Sequence, residues 1–131
     1  MRGMMMGTVE VGGTAVRAQV PGYSVAGKTG TAYKLENGRY VHRYVADFIG
    51  IAPATNPRVI VAVVVDDPRE AGHVGGVVAA PVFSQITESV LRIMHVAPDR
   101  PDTLQGLVFA KEAAPSLVSF LPADINSNKG I

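Results

Sequence analysis

The sequence predicts an α+β fold in which three antiparallel strands form a sheet and one C-terminal helix covers it. Asn37 and Gly38 stand between two runs rich in aromatic and β-branched residues, which is a strong signal for a β-hairpin. Residues 58–66 are almost wholly apolar, as expected of a strand buried on both faces. Residues 78–94 carry apolar side chains at helical spacing, so we expect a helix that packs against the sheet.

The hairpin is the best defined of these elements. We expect residues 23–36 to be extended and residues 39–52 to form the return strand, because both residues of the turn tolerate a positive φ. In a hairpin without a bulge, Asp47 lies opposite Lys28 and forms a structural salt bridge with it, whereas one bulge removes this pairing. Before the hairpin, residues 15–20 are predicted to form a further short strand.

The predicted helix has one apolar stripe, and the regular pattern ends soon after it. The stripe is predicted to face the sheet and consists of Phe83, Ile86, Val90 and Ile93. Four prolines interrupt the chain from residue 98 onwards, and its end is polar, so we expect a loosely ordered tail there. The sequence therefore predicts a domain over residues 1–97 and a tail over residues 98–131.

Composition excludes several classes of function. The 131 residues suit one domain, and the net charge of +1 is scattered, so there is no electrostatic reason to expect nucleic acid as a partner. The lack of cysteine excludes disulfides and thiol catalysis. The three histidines share no ligand-like spacing, so we expect neither a metal site nor a cofactor. The longest apolar run, residues 59–65, is too short to span a membrane, and we expect no signal peptide at the N-terminus.

A glycine-rich segment before the turn allows two interpretations. Residues 22–29 match the pattern of a phosphate-binding loop, whose backbone N–H groups hold phosphates and whose lysine reaches the outer ones. Such a loop must begin a helix, but Gly30 and Thr31 follow directly, and only five residues then precede the hairpin turn. A strand is therefore the preferred prediction. A P-loop-like nucleotide-binding module stays an alternative that ATP–Mg²⁺ binding would test.

The second interpretation takes Lys28-Thr29-Gly30-Thr31 as the unit, which begins with the K-T-G tripeptide of serine β-lactamases and penicillin-binding proteins. Further blocks match one family in the same order, at residues 22–32, 46–53, 56–68 and 75–83. Together they resemble the C-terminal part of a class B penicillin-binding protein, in particular the division-specific D,D-transpeptidase that crosslinks septal peptidoglycan. The resemblance covers residues 4–97 and implies a partial penicillin-binding/serine β-lactamase-like fold. A serine β-lactamase fragment stays an alternative, since it also carries this tripeptide.

The resemblance implies an acyl transfer in which a serine attacks a D-Ala-D-Ala stem peptide of peptidoglycan, a substrate that β-lactams mimic. Lys28 would supply positive potential for the terminal carboxylate of this peptide, and Thr29 and Thr31 would donate hydrogen bonds to it. The backbone N–H of Thr31 would be one of two oxyanion donors. Gly30 would leave room for the substrate backbone along the strand.

The nucleophile is missing from these residues, because no S-x-x-K or S-x-N motif occurs in the sequence. The resemblance implies that both motifs precede the tripeptide, so the chain is expected to be a piece of the transpeptidase domain that is inactive alone. It also implies a full-length enzyme on the periplasmic side of the inner membrane, with divisome proteins as partners. Physical chemistry adds that residues 59–65 form an apolar edge, through which the isolated chain is expected to self-associate.

Overall fold

The computed structural model describes residues 1–69 and 72–104 and confirms the predicted α+β architecture. In chain order, the helices and strands are α1 (Arg2–Gly7), a 3-10 helix (Val16–Ala18), β1 (Ala26–Glu36), β2 (Arg39–Ala52), β3 (Val59–Asp66), α2 (Gly75–Val78) and α3 (Ala80–Ile93). The three strands form one antiparallel sheet in the order β1-β2-β3. The two hairpin strands and the apolar strand after them are therefore all where the sequence predicts them.

The turn between β1 and β2 has the backbone conformation that its sequence predicts. Asn37 and Gly38 have φ values of 50° and 75°. A positive φ at both central residues is a property of the type I′ turn, whose twist matches that of the flanking strands. The prediction of a hairpin at this point is confirmed.

A bulge between Tyr33 and Leu35 changes the register of the hairpin. Next to the turn the strands pair as in a simple hairpin, but beyond the bulge Lys28 pairs with Ile49. The predicted pairing of Lys28 with Asp47 is therefore wrong. The physical reason is that a bulge places unequal numbers of residues on the two strands, which moves every later pair along the ladder.

Aromatic packing fixes the position of α3 on one face of the sheet. The rings of Phe48 on β2 and Phe83 on α3 lie edge to face, with centroids 4.7 Å apart. Both side chains are fully buried. Gly50 lies beside this pair, where an added Cβ would come within 2.7 Å of the Phe83 ring. The lack of a side chain at Gly50 therefore lets α3 approach the middle strand closely.

The buried face of α3 differs from the predicted one. Its fully buried residues are Ala80, Phe83, Thr87 and Leu91. Ile86 and Ile93 belong to the predicted stripe but are 43% and 76% exposed, so the prediction is wrong at these positions. The helix has two sets of residues at helical spacing. The set that contacts the sheet is the one in which small Ala80 and Thr87 let Phe83 and Leu91 reach it.

The segment before β1 packs along one flank of α3 and forms no strand. Residues 16–18 form a 3-10 helix and Val20 makes an isolated β-bridge with Tyr23, so the predicted strand over residues 15–20 is wrong. The backbone N–H of Ala18 bonds locally to the carbonyl of Ala15, at 2.9 Å, in place of a neighbouring strand. The hydroxyl of Ser84 on α3 donates to the carbonyl of Gln19 at 2.5 Å. This contact fixes the segment against the helix.

Residues 98–104 are packed against the start of β1, although the sequence predicts a loosely ordered tail from residue 98. The backbone N–H of Arg100 donates to the Gly22 carbonyl at 2.9 Å, and the Gly22 N–H donates to the Thr103 hydroxyl at 2.7 Å. These seven residues therefore belong with the packed part of the chain. The rest of the predicted tail, residues 105–131, lies outside the described residues.

Candidate functional site

The predicted site residues Lys28, Thr29, Gly30 and Thr31 lie within β1, which is an outer strand of the sheet. β1 continues to Glu36, so no helix begins after Thr29. A phosphate-binding loop needs a helix N-terminus at this point, and the structure therefore contradicts the nucleotide-binding alternative. Among residues 1–69 and 72–104, no strand pairs with the other edge of β1.

The four site residues alternate between the two faces of the sheet. Thr29 pairs with Phe48, whose ring packs on α3, so Thr29 and Thr31 lie on the α3 side. Lys28 and Gly30 lie on the opposite side, which we call the outer face. The Lys28 side chain is exposed there, and its ammonium group donates to the Thr29 carbonyl at 3.0 Å. Among the described residues, no carboxylate lies within 4 Å of the Lys28 ammonium group.

The two threonine side chains face the start of α2. The Thr31 hydroxyl oxygen accepts a hydrogen bond from the backbone N–H of Gly75, at 3.2 Å. The Thr29 methyl group is 3.6 Å from the place that a Cβ on Gly76 would occupy. Because the Thr31 hydroxyl accepts from α2, its own proton stays available for a second partner. The start of α2 therefore orients a hydrogen-bond donor at the free edge of β1.

Gly75 and Gly76 let α2 lie directly against the backbone around the site. A Cβ on Gly75 would come within 2.6 Å of the Gly30 carbonyl oxygen and would also overlap the Asp47 carbonyl oxygen. A Cβ on Gly76 would overlap the Thr14 carbonyl oxygen. In the sequence these glycines mark only the beginning of a helix. Their packing role depends on residues far away along the chain, and sequence reasoning missed it.

The structure brings one carboxylate to the site that the sequence does not place there. Asp47 pairs with Gly30, and a Cβ on Gly30 would lie 2.5 Å from both oxygens of its carboxylate. The Asp47 carboxylate therefore covers Gly30 on the outer face, the face that Lys28 shares. The register shift at the bulge is the cause, so only knowledge of the bulge could have revealed this neighbour.

Ser24, Thr55 and Asp99 form a hydrogen-bonded cluster at the start of β1, which we call the Asp99 latch. The Ser24 N–H donates to Asp99 Oδ1 at 2.8 Å, the Thr55 hydroxyl donates to Oδ2 at 2.6 Å, and the Ser24 hydroxyl also donates to Oδ2. Burial opposes the charged form of Asp99, but these hydrogen bonds outweigh it, and the pKa of its carboxyl lies below its ordinary value. Ser24 is 1% exposed and bonded to Asp99, so it is not an accessible nucleophile.

A second polar cluster ties the loop after β3 to the hairpin. Asp67 contacts Arg43 at 2.8 Å and Arg69 at 3.0 Å. The hydrogen bond from Arg43, and then that from Arg69, lower the pKa of the Asp67 carboxyl to about 2. His73 stacks on Tyr44 of β2, with ring centroids 4.2 Å apart. Both contacts hold the segment that leads into α2, and thus the N–H group that orients the Thr31 hydroxyl.

The site offers one ammonium group, two hydroxyls and the backbone N–H groups of a free strand edge. In the part of the chain that the structure describes, no group of three or more His, Cys, Asp or Glu side chains is placed to hold a metal ion. Within the same residues, no helix is both long and apolar enough to cross a lipid bilayer. Such a set of donors is suited to binding the carboxylate and the backbone of a peptide.

Comparison with known proteins places these features in a family. The family model described as the penicillin binding protein transpeptidase domain matches residues 1–88. The probable peptidoglycan D,D-transpeptidase PenA of Neisseria flavescens is 51% identical over 102 residues, which cover 77% of this chain and 26% of the relative. The peptidoglycan D,D-transpeptidase FtsI of Escherichia coli K12 is 45% identical over 97 residues, which cover 73% of this chain and 16% of the relative.

Solved structures agree with the sequence relatives. The transpeptidase domain of penicillin-binding protein 3 from Burkholderia pseudomallei is 50% identical, with a TM-score of 0.69 over 76% of this chain and 30% of that one. Penicillin-binding protein 3 of Mycobacterium tuberculosis, solved with ampicillin, is 36% identical, with a TM-score of 0.63 over 75% of this chain and 24% of that one. The chain thus spans about a quarter or less of the length of the curated relatives. The predicted family and fold are confirmed: the chain belongs to the penicillin-binding protein transpeptidase family.

Proposed function

We propose that this chain supplies the substrate-binding strand of a peptidoglycan D,D-transpeptidase that crosslinks cell-wall peptides and is a target of β-lactams. The observation that carries the proposal is the free edge of β1, on which a lysine, two threonines and a glycine follow one another beside α2. The names of the relatives support this reaction over that of a serine β-lactamase. In this proposal the ligand is a stem peptide that ends in D-Ala-D-Ala, or a β-lactam that mimics it.

Three side chains bind the terminal carboxylate of the peptide. Lys28 lies on the outer face, but its ammonium group reaches around to the backbone carbonyl of Thr29 and so provides a positive charge next to the threonines. A charge-assisted hydrogen bond to a carboxylate is stronger than a neutral one. The hydroxyls of Thr29 and Thr31 donate to the same carboxylate. The hydrogen bond from Gly75 supports this role of Thr31, because it occupies the oxygen and leaves the proton for the ligand.

The backbone of β1 binds the peptide chain itself. The carbonyl oxygens of Gly30 and Asp47 both lie within 2.6 Å of the position that a Cβ on Gly75 would take. The two oxygens are therefore close to each other, between β1 and β2. Because hydrogen bonding in an antiparallel ladder alternates along the strand, the N–H groups of Thr29 and Thr31 then point to the free edge. The Thr31 N–H is thus available as one oxyanion donor for the acyl transfer.

The reacting serine comes from another part of the full transpeptidase domain. No S-x-x-K motif occurs in these 131 residues, and acyl transfer needs an activated nucleophile. The chain therefore binds the substrate carboxylate without being acylated. We place the complete enzyme on the periplasmic side of the inner membrane, with division proteins as its partners, as the resemblance to the division-specific transpeptidases implies.

A titration of the ¹⁵N-labelled chain with diacetyl-L-Lys-D-Ala-D-Ala tests the binding role. We expect amide shifts concentrated at residues 28–32, with a Kd on the order of millimolar for so small a ligand. Lys28→Ala is expected to weaken binding about tenfold, which corresponds to the loss of one charge-assisted hydrogen bond. The matched control is Lys34→Ala on the same strand, which is expected to leave binding unchanged because Lys34 is paired with Asp66.

Two further measurements separate this role from non-specific binding. The same peptide with a C-terminal amide lacks the carboxylate and should not shift the amides of residues 28–32. Intact-mass analysis after incubation with penicillin should show no adduct. Equal binding of the acid and the amide, or equal effects of the two lysine substitutions, would show that Lys28 does not recognise the carboxylate. A penicillin adduct on any serine would contradict the assignment of the nucleophile.

A further inference from the structure

The Asp99 latch joins the start of β1 to the loop that follows β2. The Thr55 hydroxyl, from that loop, donates to Asp99 Oδ2 at 2.6 Å, and the Ser24 N–H donates to Oδ1 at 2.8 Å. The Ser24 oxygens in turn accept from the loop, because the Ala54 N–H lies 2.9 Å from both the Ser24 carbonyl and the Ser24 hydroxyl oxygen. Every polar group of Ser24 therefore has a partner, although the residue is buried.

The segment that carries the carboxylate of the latch lies along the residues before β1. We call residues 96–104, which follow α3, the strap. The Tyr23 hydroxyl donates to the Val96 carbonyl at 2.6 Å. The Arg100 N–H donates to the Gly22 carbonyl at 2.9 Å. These contacts fix the backbone of the strap on both sides of the latch, so that its carboxylate is presented to the start of β1 in a defined position.

The site residues 28–31 lie between the latch and the bulge of the hairpin. The bulge at Tyr33 interrupts the ladder on the side of the hairpin turn, so the turn alone does not fix this part of β1. On the other side the ladder begins at Ala26, two residues after Ser24. The latch is therefore the nearest point outside the ladder at which the strand is held before the site.

We propose that Asp99 is a positioning residue for this strand: its carboxylate holds the start of β1 against the loop after β2, so that residues 28–31 present an ordered edge to the peptide. This inference rests on the function proposed above. Without the carboxylate, the buried Ser24 N–H has no acceptor, and a buried N–H group without a partner favours opening of the backbone around it. A peptide that binds to β1 must then also order the strand, which weakens binding.

The charge of Asp99 matters because a carboxylate can only accept hydrogen bonds. Its two oxygens accept from the Ser24 N–H and from the hydroxyls of Ser24 and Thr55. An asparagine keeps one acceptor oxygen for the N–H group, but its NH₂ group cannot accept from the hydroxyls. Asp99→Asn is therefore expected to preserve part of the latch, whereas Asp99→Ala removes all of these hydrogen bonds.

Amide hydrogen exchange of the 131-residue chain tests the effect on the strand. The amides of Ala26 and Lys28 point to β2 in the alternating ladder. We expect Asp99→Ala to lower their protection by more than about tenfold beyond any loss at the amide of Leu91 in α3, because the opening is local. Asp99→Asn should lower it less. The matched control is Asp102→Ala, which removes an exposed carboxylate of the same strap and should leave the protection unchanged.

Titration with diacetyl-L-Lys-D-Ala-D-Ala tests the consequence for binding. We expect Asp99→Ala to raise the Kd roughly fivefold or more, and Asp102→Ala to leave it unchanged. If Asp99→Ala does not fold, Asp99→Asn provides the same comparison with a smaller change. Protection lost equally in β1 and α3 would show that Asp99 contributes only to global stability, and this overturns the inference. So does an unchanged Kd when the parent chain binds the peptide. A parent chain that does not bind would overturn the proposed function, and this inference with it.

Discussion

β1 and β3 are the two outer strands of one sheet, and their free edges present different chemistry. The edge of β1 carries an ammonium group, hydroxyls and a glycine, and the start of α2 packs beside it. The edge of β3 carries branched apolar side chains, of which Ile60 and Val64 are largely exposed. Among residues 1–69 and 72–104, both edges leave backbone groups available for a further strand.

The difference teaches that the side chains along an unpaired edge decide which strand it accepts. At β1, the function proposed above assigns Lys28 and Thr31 to the free carboxylate of a peptide C-terminus. At β3, the exposed apolar side chains favour a strand that is itself apolar. One sheet therefore has a polar edge that selects its partner by charge and hydrogen bonding, and an apolar edge that selects by hydrophobic contact alone.

The largest expected effect comes from a substitution that destabilises the whole sheet and therefore both of its edges. Phe83→Ala removes the ring that packs on Phe48 and beside Gly50, so the sheet loses its support from α3. We expect the free energy of unfolding to fall by roughly 3–5 kcal/mol in urea denaturation. The control is Ile86→Ala on the exposed face of the same helix, for which we expect less than about 1 kcal/mol. Equal losses would mean that Ile86 also faces the core.

A smaller effect is expected at the β1 edge alone. In Gly30→Ala the new Cβ meets the Asp47 carboxylate, so we expect the free energy of unfolding to fall by roughly 1–3 kcal/mol. Adding Asp47→Ala removes the obstacle and should restore most of this loss, which a double-mutant cycle measures. If the two substitutions were simply additive, Asp47 would not be the group that excludes a side chain at position 30.

The smallest expected effect concerns the stability of the fold at low pH. The pKa of Asp67 is about 2 in the folded chain, below its ordinary value of 3.8. Its ion pairs with Arg43 and Arg69 therefore stabilise the fold above about pH 4, and this contribution is lost as the pH falls toward 2. Asp67→Asn should lose less stability than the parent chain between pH 5 and pH 2 in urea denaturation. The exposed Asp102→Asn serves as the control, and identical pH profiles for all three chains would contradict the prediction.

Local sequence signals were sufficient to predict the hairpin, but its register could be predicted only with knowledge of non-local contacts. Asn37 and Gly38 specify their turn through backbone preferences of their own. The bulge at Tyr33 depends on how the whole hairpin packs, and no residue type at that position signals it. One undetected bulge was enough to replace the expected Lys28 neighbour and to bring Asp47 over Gly30. The site strand was thus predictable from sequence, while its carboxylate neighbour was not.

The buried face of α3 also could not be predicted from local sequence signals. The spacing of apolar residues predicts α3 but does not choose between two faces that both have helical spacing. The choice depends on the shape of the sheet surface, where Gly50 accommodates the Phe83 ring. The contact of residues 98–104 with the start of β1 was missed because proline content alone suggested disorder, whereas hydrogen bonds of Asp99, Arg100 and Thr103 fix this segment.

The Asp99 latch joins residues that are 75 positions apart in the sequence, and this separation has a consequence for folding order. During synthesis, the strand that carries Lys28 leaves the ribosome long before Asp99 does. Until then the Ser24 N–H and hydroxyl lack their carboxylate partner, and Ser24 is held by its hydrogen bonds with Ala54. Contacts of such long range form slowly, since a large loop must close first. The start of β1 is therefore expected to be among the last parts of the chain to reach its final position.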